Sequence, residues 1–111
     1  VTAADTAIVK VIIECCLFDE AQKRKLTEIV VRGGADYVKT STGFAASGAS
    51  VEDVGLLSET AAGRIRVKAA GGIRDWQTCQ AMLKAGADRI GTSAGVAIVK
   101  QWRENSELSC Q

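Results

Sequence analysis

GADYVKTSTG (Gly34–Gly43) and GADRIGTSAG (Gly86–Gly95) decide how this chain is read. The two stretches share six of ten residues at a separation of 52. Each opens on a glycine able to stop a helix, runs through a short apolar segment and closes on hydroxyls and a second glycine. A spacing of 52 residues fits two βα units of about 26 residues, the size at which roughly 250 residues make an eight-unit barrel. The repeat sets Lys39 opposite Gly91.

Outward from the repeat, four β-branched runs have the length and composition of buried strands: Ile8–Ile13, Tyr37–Thr40, Ile65–Lys68 and Arg89–Thr92. Helical stretches lie between them. Asp19 with Gln22 makes a capping-box pair ahead of an apolar face of Leu26, Ile29 and Val30, and Gly33–Gly34 stops that helix. Ser50 caps a second helix carrying Val51, Val54, Leu57 and Ala61, with Gly63 near its end. Asp75 caps a third with Cys79, Met82 and Leu83 turned inward and Gly86 as its stop. A short fourth helix is expected after Ala94, through Val96, Ile98 and Val99, then a polar tail over residues 101–111, and a helix end at Thr2–Ala7. Strands joined by helical crossovers run parallel. The fold expected is therefore α/β, one domain over residues 1–111: the (βα)4 half of a TIM (β/α)8 barrel. An open sheet of this kind is expected to leave two edges and one apolar face uncovered.

Composition narrows the function classes. Hydrophobic residues are 47% of the chain and charged ones 24%, enough to bury a core. Fourteen Lys and Arg against 13 Asp and Glu leave a net charge of +1, which gives no electrostatic ground for a nucleic-acid or membrane partner. There is no histidine, so the commonest general base and zinc ligand are missing. Cys15, Cys16, Cys79 and Cys110 form no CxxC pair and read as reduced cytosolic thiols, with no metal site expected. No apolar run approaches the roughly 20 residues of a bilayer span, and no secretory leader is recognisable.

The candidate chemistry lies at strand C-terminal ends, the catalytic face of βα barrels. Glu14, Lys39, Lys68 and Gly91 all fall there. A lone lysine at a strand end commonly just reaches into solvent. Two lysines on nearby strand ends share one pocket, where like charge and partial desolvation favour a neutral amine on one of them. A neutral amine attacks a carbonyl to form a Schiff base, and the second lysine can carry the protons. Gly71-Gly72 and Gly91-Thr92-Ser93 form a second constellation. Glycines let backbone N–H groups approach an anion, and a helix start favours negative charge. The same glycines could simply make tight turns. Thr40-Ser41-Thr42-Gly43 could add donors, and Arg74 could neutralise a phosphate or face solvent. Trp76 reads as a packing anchor, and Trp102 as cover for a core end or a partner surface.

At these residues the chain resembles a known family. VKVIIE, GADYVKTSTGF, GASVEDV, VKAAGGIRDW and GADRIGTSAGVAIV together are similar to the C-terminal half of deoxyribose-phosphate aldolase, across roughly Val9–Val99. The resemblance implies a cytoplasmic class I aldolase of nucleoside and carbohydrate catabolism, built on strands five to eight of the barrel. Such an enzyme needs no metal or other cofactor and cleaves 2-deoxy-D-ribose 5-phosphate reversibly to D-glyceraldehyde 3-phosphate and acetaldehyde. Residue by residue it implies Lys39 as the Schiff-base lysine and Lys68 as the proton donor and acceptor. Gly43, Gly71, Gly72, Gly91 and Ser93 match positions that hold the substrate phosphate. Ala94 stands where the family often has a second serine. The family's catalytic aspartate lies upstream of anything in this sequence, and neither Asp5 nor Asp19 falls on its motif. The implied partners are a phosphosugar substrate and either a second copy or the missing N-terminal half barrel, with the chain a fragment of weak or no activity alone. A non-catalytic half barrel that self-associates or binds phosphosugars is the alternative.

Overall fold

The caps and stops of the first three helices lie where the sequence puts them. The structure, a computed structural model, describes residues 7–42 and 47–109, without the side chains of residues 106–109. The expected helix end at Thr2–Ala7 and the candidate Gly43 fall almost wholly or wholly outside these residues. The order is β1 (Lys10–Ile12), a 3-10 turn (Cys15–Leu17), α1 (Glu20–Arg32), β2 (Tyr37–Lys39), α2 (Val51–Ala61), β3 (Arg66–Ala70), α3 (Trp76–Ala85), β4 (Arg89–Gly91) and α4 (Gly95–Ser109). Asp19 and Gln22 close a full capping box at α1, while Ser50 and Asp75 accept from the Asp53 and Thr78 N–H groups at α2 and α3. The Thr78 N–H holds the Asp75 carboxyl below the usual carboxylate range. The expected polar tail over residues 101–111 is instead helix as far as Ser109. That stretch has neither glycine nor proline to stop α4, and the Gln101 side chain accepts from the Trp76 N–H at 2.7 Å.

The four strands pair in parallel in the order β1-β2-β3-β4. Register runs Ile12, Lys39, Lys68, Arg89 across the sheet. The repeat mate of Lys39 is Gly91, yet its level on β4 is occupied by Arg89, so two strands carry a stagger of two residues. Carried around eight strands, that stagger gives a shear of about eight, the value of a closed (β/α)8 barrel. Four βα units with this stagger are half of such a barrel.

One sheet face packs on the helices. Val38, Val67 and Ala69 meet Val30, Val54, Leu57, Cys79, Met82 and Ile98 in the core cluster. Ile29, Val51 and Leu83, expected on the inward helix faces, are exposed. Ile29 and Leu83 sit one position, about 100° of helix turn, off the buried Val30 and Met82, and Val51 is the first residue of α2, three before the buried Val54; a strip of one helix face suffices to cover a single sheet. The other sheet face is uncovered among the described residues, and it is not the apolar surface expected. Alternation along the strands sends Lys10, Ile12, Tyr37, Lys39, Arg66, Lys68 and Arg89 to it.

Candidate active site

A cleft of about 420 Å3 opens at the C-terminal ends of β2, β3 and β4, lined by Lys39, Thr42, Ala70, Gly71, Gly72, Ile73, Arg74, Gly91, Thr92 and Ser93. Of the residues singled out above, Lys39, Gly71, Gly72, Arg74, Gly91 and Ser93 meet here. Lys68 stands beside them. It is the register partner of Lys39, and a Cβ built on Gly91 would lie 3.1 Å from Lys68 Cε and 3.8 Å from its Nζ. Gly91 is therefore the gap through which the Lys68 side chain passes. Both lysines are half-buried.

The loops around the cleft are held by contacts the sequence did not announce. Glu14 has left-handed backbone angles (φ 53°, ψ 68°), uncommon for a residue with a side chain. Its carboxylate accepts from the Thr42 N–H at 3.1 and 3.3 Å and from the Thr42 hydroxyl at 2.7 Å. The loop after Lys39 is thereby tied to the end of β1. The position of Glu14 at a strand end was the available signal; its bond across 28 residues needed the fold. Gly48 is the second such feature. A Cβ there would come within 2.3 Å of the Gly71 carbonyl oxygen, so only glycine lets the segment before α2 lie on the glycine loop. Gly71 and Gly72 have φ of 94° and 75°, a turn that L side chains resist.

The hydroxyls divide into structural and available ones. The Thr40 hydroxyl donates to the Ala70 carbonyl at 3.3 Å and accepts from the Ala70 N–H at 3.2 Å, and the Ser41 hydroxyl donates to it. Thr40 and Ser41 are fully buried. The Thr92 hydroxyl donates to the Ile73 carbonyl and accepts from the Ala94 N–H at 2.9 Å, which stitches the loop after β4 to the loop after β3. Thr40, Ser41 and Thr92 are thus occupied within the protein rather than presented to a ligand. Ser93 is exposed on the rim.

Three cysteines are described and all are free thiols. Cys15 is buried beneath the same loop, its N–H donating to the Thr40 carbonyl at 2.8 Å. Burial, with Asp53 nearby, pushes its thiol up to about 12. The Lys23–Asp53 ion pair beside it, at 2.6 Å, raises the Lys23 ammonium above its ordinary range. Among the described residues no group of three or more His, Cys, Asp or Glu side chains is arranged to hold a metal. No helix among them is long and apolar enough to cross a membrane.

The fold and the cleft define one class of molecule: half of a parallel βα barrel whose strand ends bring two lysines to glycine-rich loops. Comparison with known proteins names its relatives. No family model matches the chain. Deoxyribose-phosphate aldolase of Syntrophotalea carbinolica is 61% identical over 106 residues, 96% of this chain and 48% of that protein. Among solved structures, the aldolase QR15 superposes with a TM-score of 0.90 at 45% identity, covering 96% of this chain and 48% of its own. The tetrameric deoxyribose phosphate aldolase of Aeropyrum pernix gives 0.81 at 40% identity, covering 87% and 42%. The chain is a homologue of the deoxyribose-phosphate aldolases, aligned with roughly their C-terminal half. It spans about half the length of the curated relatives it matches.

Proposed function

We propose that this chain carries the Schiff-base half of a class I aldolase acting on 2-deoxy-D-ribose 5-phosphate. The observation that carries the reading is the register pairing of Lys39 with Lys68 at the mouth of a cleft floored by Gly71, Gly72 and Gly91. The Lys39 amine adds to the aldehyde carbon of the open-chain sugar, and the carbinolamine loses water to give an iminium. The C2–C3 bond then breaks, with its electron pair drawn into the iminium. The C3 hydroxyl loses its proton and becomes the aldehyde of D-glyceraldehyde 3-phosphate. The enamine left on Lys39 is protonated and hydrolysed to acetaldehyde. Lys68, next to Lys39, is the group that passes these protons.

The phosphate is held by backbone N–H groups of Gly71, Gly72, Gly91 and Ser93, with Gly43 a further contributor and Arg74 supplying charge on the rim. Glycines suit this because nothing shields their amides from an oxyanion. In this reading the remaining strands of the barrel complete the site and supply the aspartate that this sequence lacks. The tetramer of the Aeropyrum pernix relative supports assembly of the completed barrels into oligomers. The free thiols fit a cytoplasmic location.

Acetaldehyde with borohydride, followed by peptide mass spectrometry, tests the reading. Lys39 gains the reduced adduct and Lys39→Leu does not, because imine formation needs an uncharged amine, an accessible carbonyl and a group beside them to carry protons, all of which this half barrel holds. Equal labelling of Lys39, Lys10 and Lys100 would mean ordinary surface amines and would end the proposal.

A further inference from the structure

We infer that the uncovered sheet face is shaped by charge to accept a complementary half-barrel wall whose inward side chains are carboxylates, and to reject a second copy of itself. The inference rests on the half-barrel reading and is independent of the chemistry at Lys39. Tyr37 sits in the middle of this face and is only 2% exposed. The cover comes from cations. Lys10 Nζ lies 5.3 Å and the Arg89 guanidinium 5.2 Å from the ring centroid, and Arg66 Nη1 donates to the phenol oxygen at 3.4 Å. One layer nearer the cleft stand Lys39 and Lys68.

Five of the 14 cationic side chains thus share one side of a four-stranded sheet. Every ion pair among the described residues lies elsewhere, on α1, α2 and the loop after α2. The carboxylates closest along the strands stand at the strand starts, where Asp88 acts on Arg66 but pairs with none of the five cations. Asp36 accepts from the Val9 N–H at 2.8 Å and Asp88 from the Val67 N–H at 2.9 Å, pinning the starts of β1 and β3.

Closing a barrel over this face removes Lys10, Arg66 and Arg89 from water. Unpaired buried charge is strongly unfavourable, so the closing wall must bring anions to the level of Tyr37. A second copy brings five more cations to the same place, and like charge across an interface opposes docking. The relatives have about as much sequence again as this chain matches, enough for four further strands. The occupant is therefore the other half of a barrel with an acidic lower layer, on the same polypeptide or on another.

Sedimentation velocity on the full chain tests this without any activity measurement. The unmodified chain, the charge-reversed variant Lys10→Glu/Arg66→Glu/Arg89→Glu and their equimolar mixture are compared at roughly 50 and 500 mM salt, which shortens the Debye length several-fold. The mixture is expected to associate at least tenfold more tightly than either chain alone, and to lose that gain at high salt. Self-association of the unmodified chain as tight as the mixture, or a mixture indifferent to salt, overturns the inference. Should the reversed variant lose the helical circular dichroism of the parent, Lys10→Gln/Arg66→Gln/Arg89→Gln replaces it. That neutral face should self-associate at least tenfold more tightly than the unmodified one, and no change would equally overturn the inference. Imine trapping at Lys39 is read separately, so either proposal can fail alone.

Discussion

Gly34–Gly43 and Gly86–Gly95 share a helix stop, a small residue and an aspartate, and part where one has Lys39 and the other Gly91. The shared residues do the same structural work twice. Gly34 and Gly86 take φ of 82° and 120°, Ala35 and Ala87 are buried, and Asp36 and Asp88 each pin the start of the preceding strand. Beyond the strands the two units diverge. Thr40 is buried and bonds forward to Ala70 on β3, whereas Thr92 is exposed and bonds back to the loop after β3. Repetition here marks mostly the scaffold: the proposed Schiff-base lysine sits where the repeat is broken, while Ser93 and Gly43 of the proposed phosphate site fall on shared positions.

Restoring the repeat is the severest way to break that distinction. Gly91→Lys would put a side chain where Lys68 passes, since a Cβ there already stands 3.1 Å from Lys68 Cε. Displacing Lys68 removes the proposed proton carrier, and general acid–base catalysis contributes about 10² to 10⁴-fold. Trapping at Lys39 should slow by at least about 10²-fold, and Lys68→Leu should match it. Full-rate trapping in both variants would remove Lys68 from the mechanism.

The two threonines sharpen the comparison on the stability axis. Thr40→Val leaves the buried Ala70 N–H without its partner, which costs about 1–3 kcal/mol. Thr92→Val deletes a hydroxyl on a residue that is itself exposed, so water can enter beside the part-buried Ile73 carbonyl, and the change should cost about 0.5–1.5 kcal/mol. Urea unfolding of both variants checks the order. Equal losses would mean that the two loops are held alike.

What the sequence made legible was whatever depends on neighbours along the chain. The Asp19–Gln22 box, the Ser50 and Asp75 caps and the Gly86 stop involve residues within a few positions of each other. Strand ends were placed to within two residues. The uncovered face is not the apolar one expected, because Lys10, Arg66 and Arg89 alternate with the apolar residues of the β-branched runs, a pattern that buries one side only. Of the site, the lysines and glycine loops were visible as motifs. The Glu14–Thr42 clamp, the Gly48–Gly71 approach and the use of Gly91 as passage for Lys68 span 23 to 28 residues and depend on register between strands. No local pattern encodes those contacts.

Alkaline titration contrasts the two sides of the sheet. On the β1–β2 side Cys15 is buried with its thiol at about 12, against an ordinary 9.0. Between those values the unfolded chain gives up the thiol proton while the folded one keeps it, so stability falls as pH rises. The raised Lys23 acts in the same direction, because its pairing with Asp53 is lost as pH climbs through its folded value. The slope from Cys15 is at most about 1.4 kcal/mol per pH unit. Cys79, on the β3–β4 side, is also raised by burial alone. Urea midpoints from pH 8 to 11 should fall less steeply in Cys15→Ala than in the parent. Parallel curves would show that Cys15 ionises without unfolding.

The smallest change separates the two reasons a glycine could stand at 91. Its φ is not positive, so alanine meets no backbone penalty, and replacing glycine within a strand can recover about 0.5–1 kcal/mol. Against that gain, the new methyl would press on Ala70 Cβ and Lys68 Cε, both at 3.1 Å. The Ala70 backbone is fixed by Thr40, so Lys68 is the side that gives, by a few tenths of an ångström. The stability of Gly91→Ala should stay within about 0.5 kcal/mol of the parent, as the two small effects offset. Imine trapping at Lys39 should nonetheless slow a few-fold, because the neighbouring amine has moved. Phosphate contact through the Gly91 amide is untouched by a methyl on its Cα that points to Lys68, so inorganic phosphate should shift the amide resonances of Gly71, Gly72 and Ser93 as in the parent. Trapping unchanged with phosphate binding lost would reverse the assignment, making Gly91 a residue of the anion loop and not the opening for Lys68.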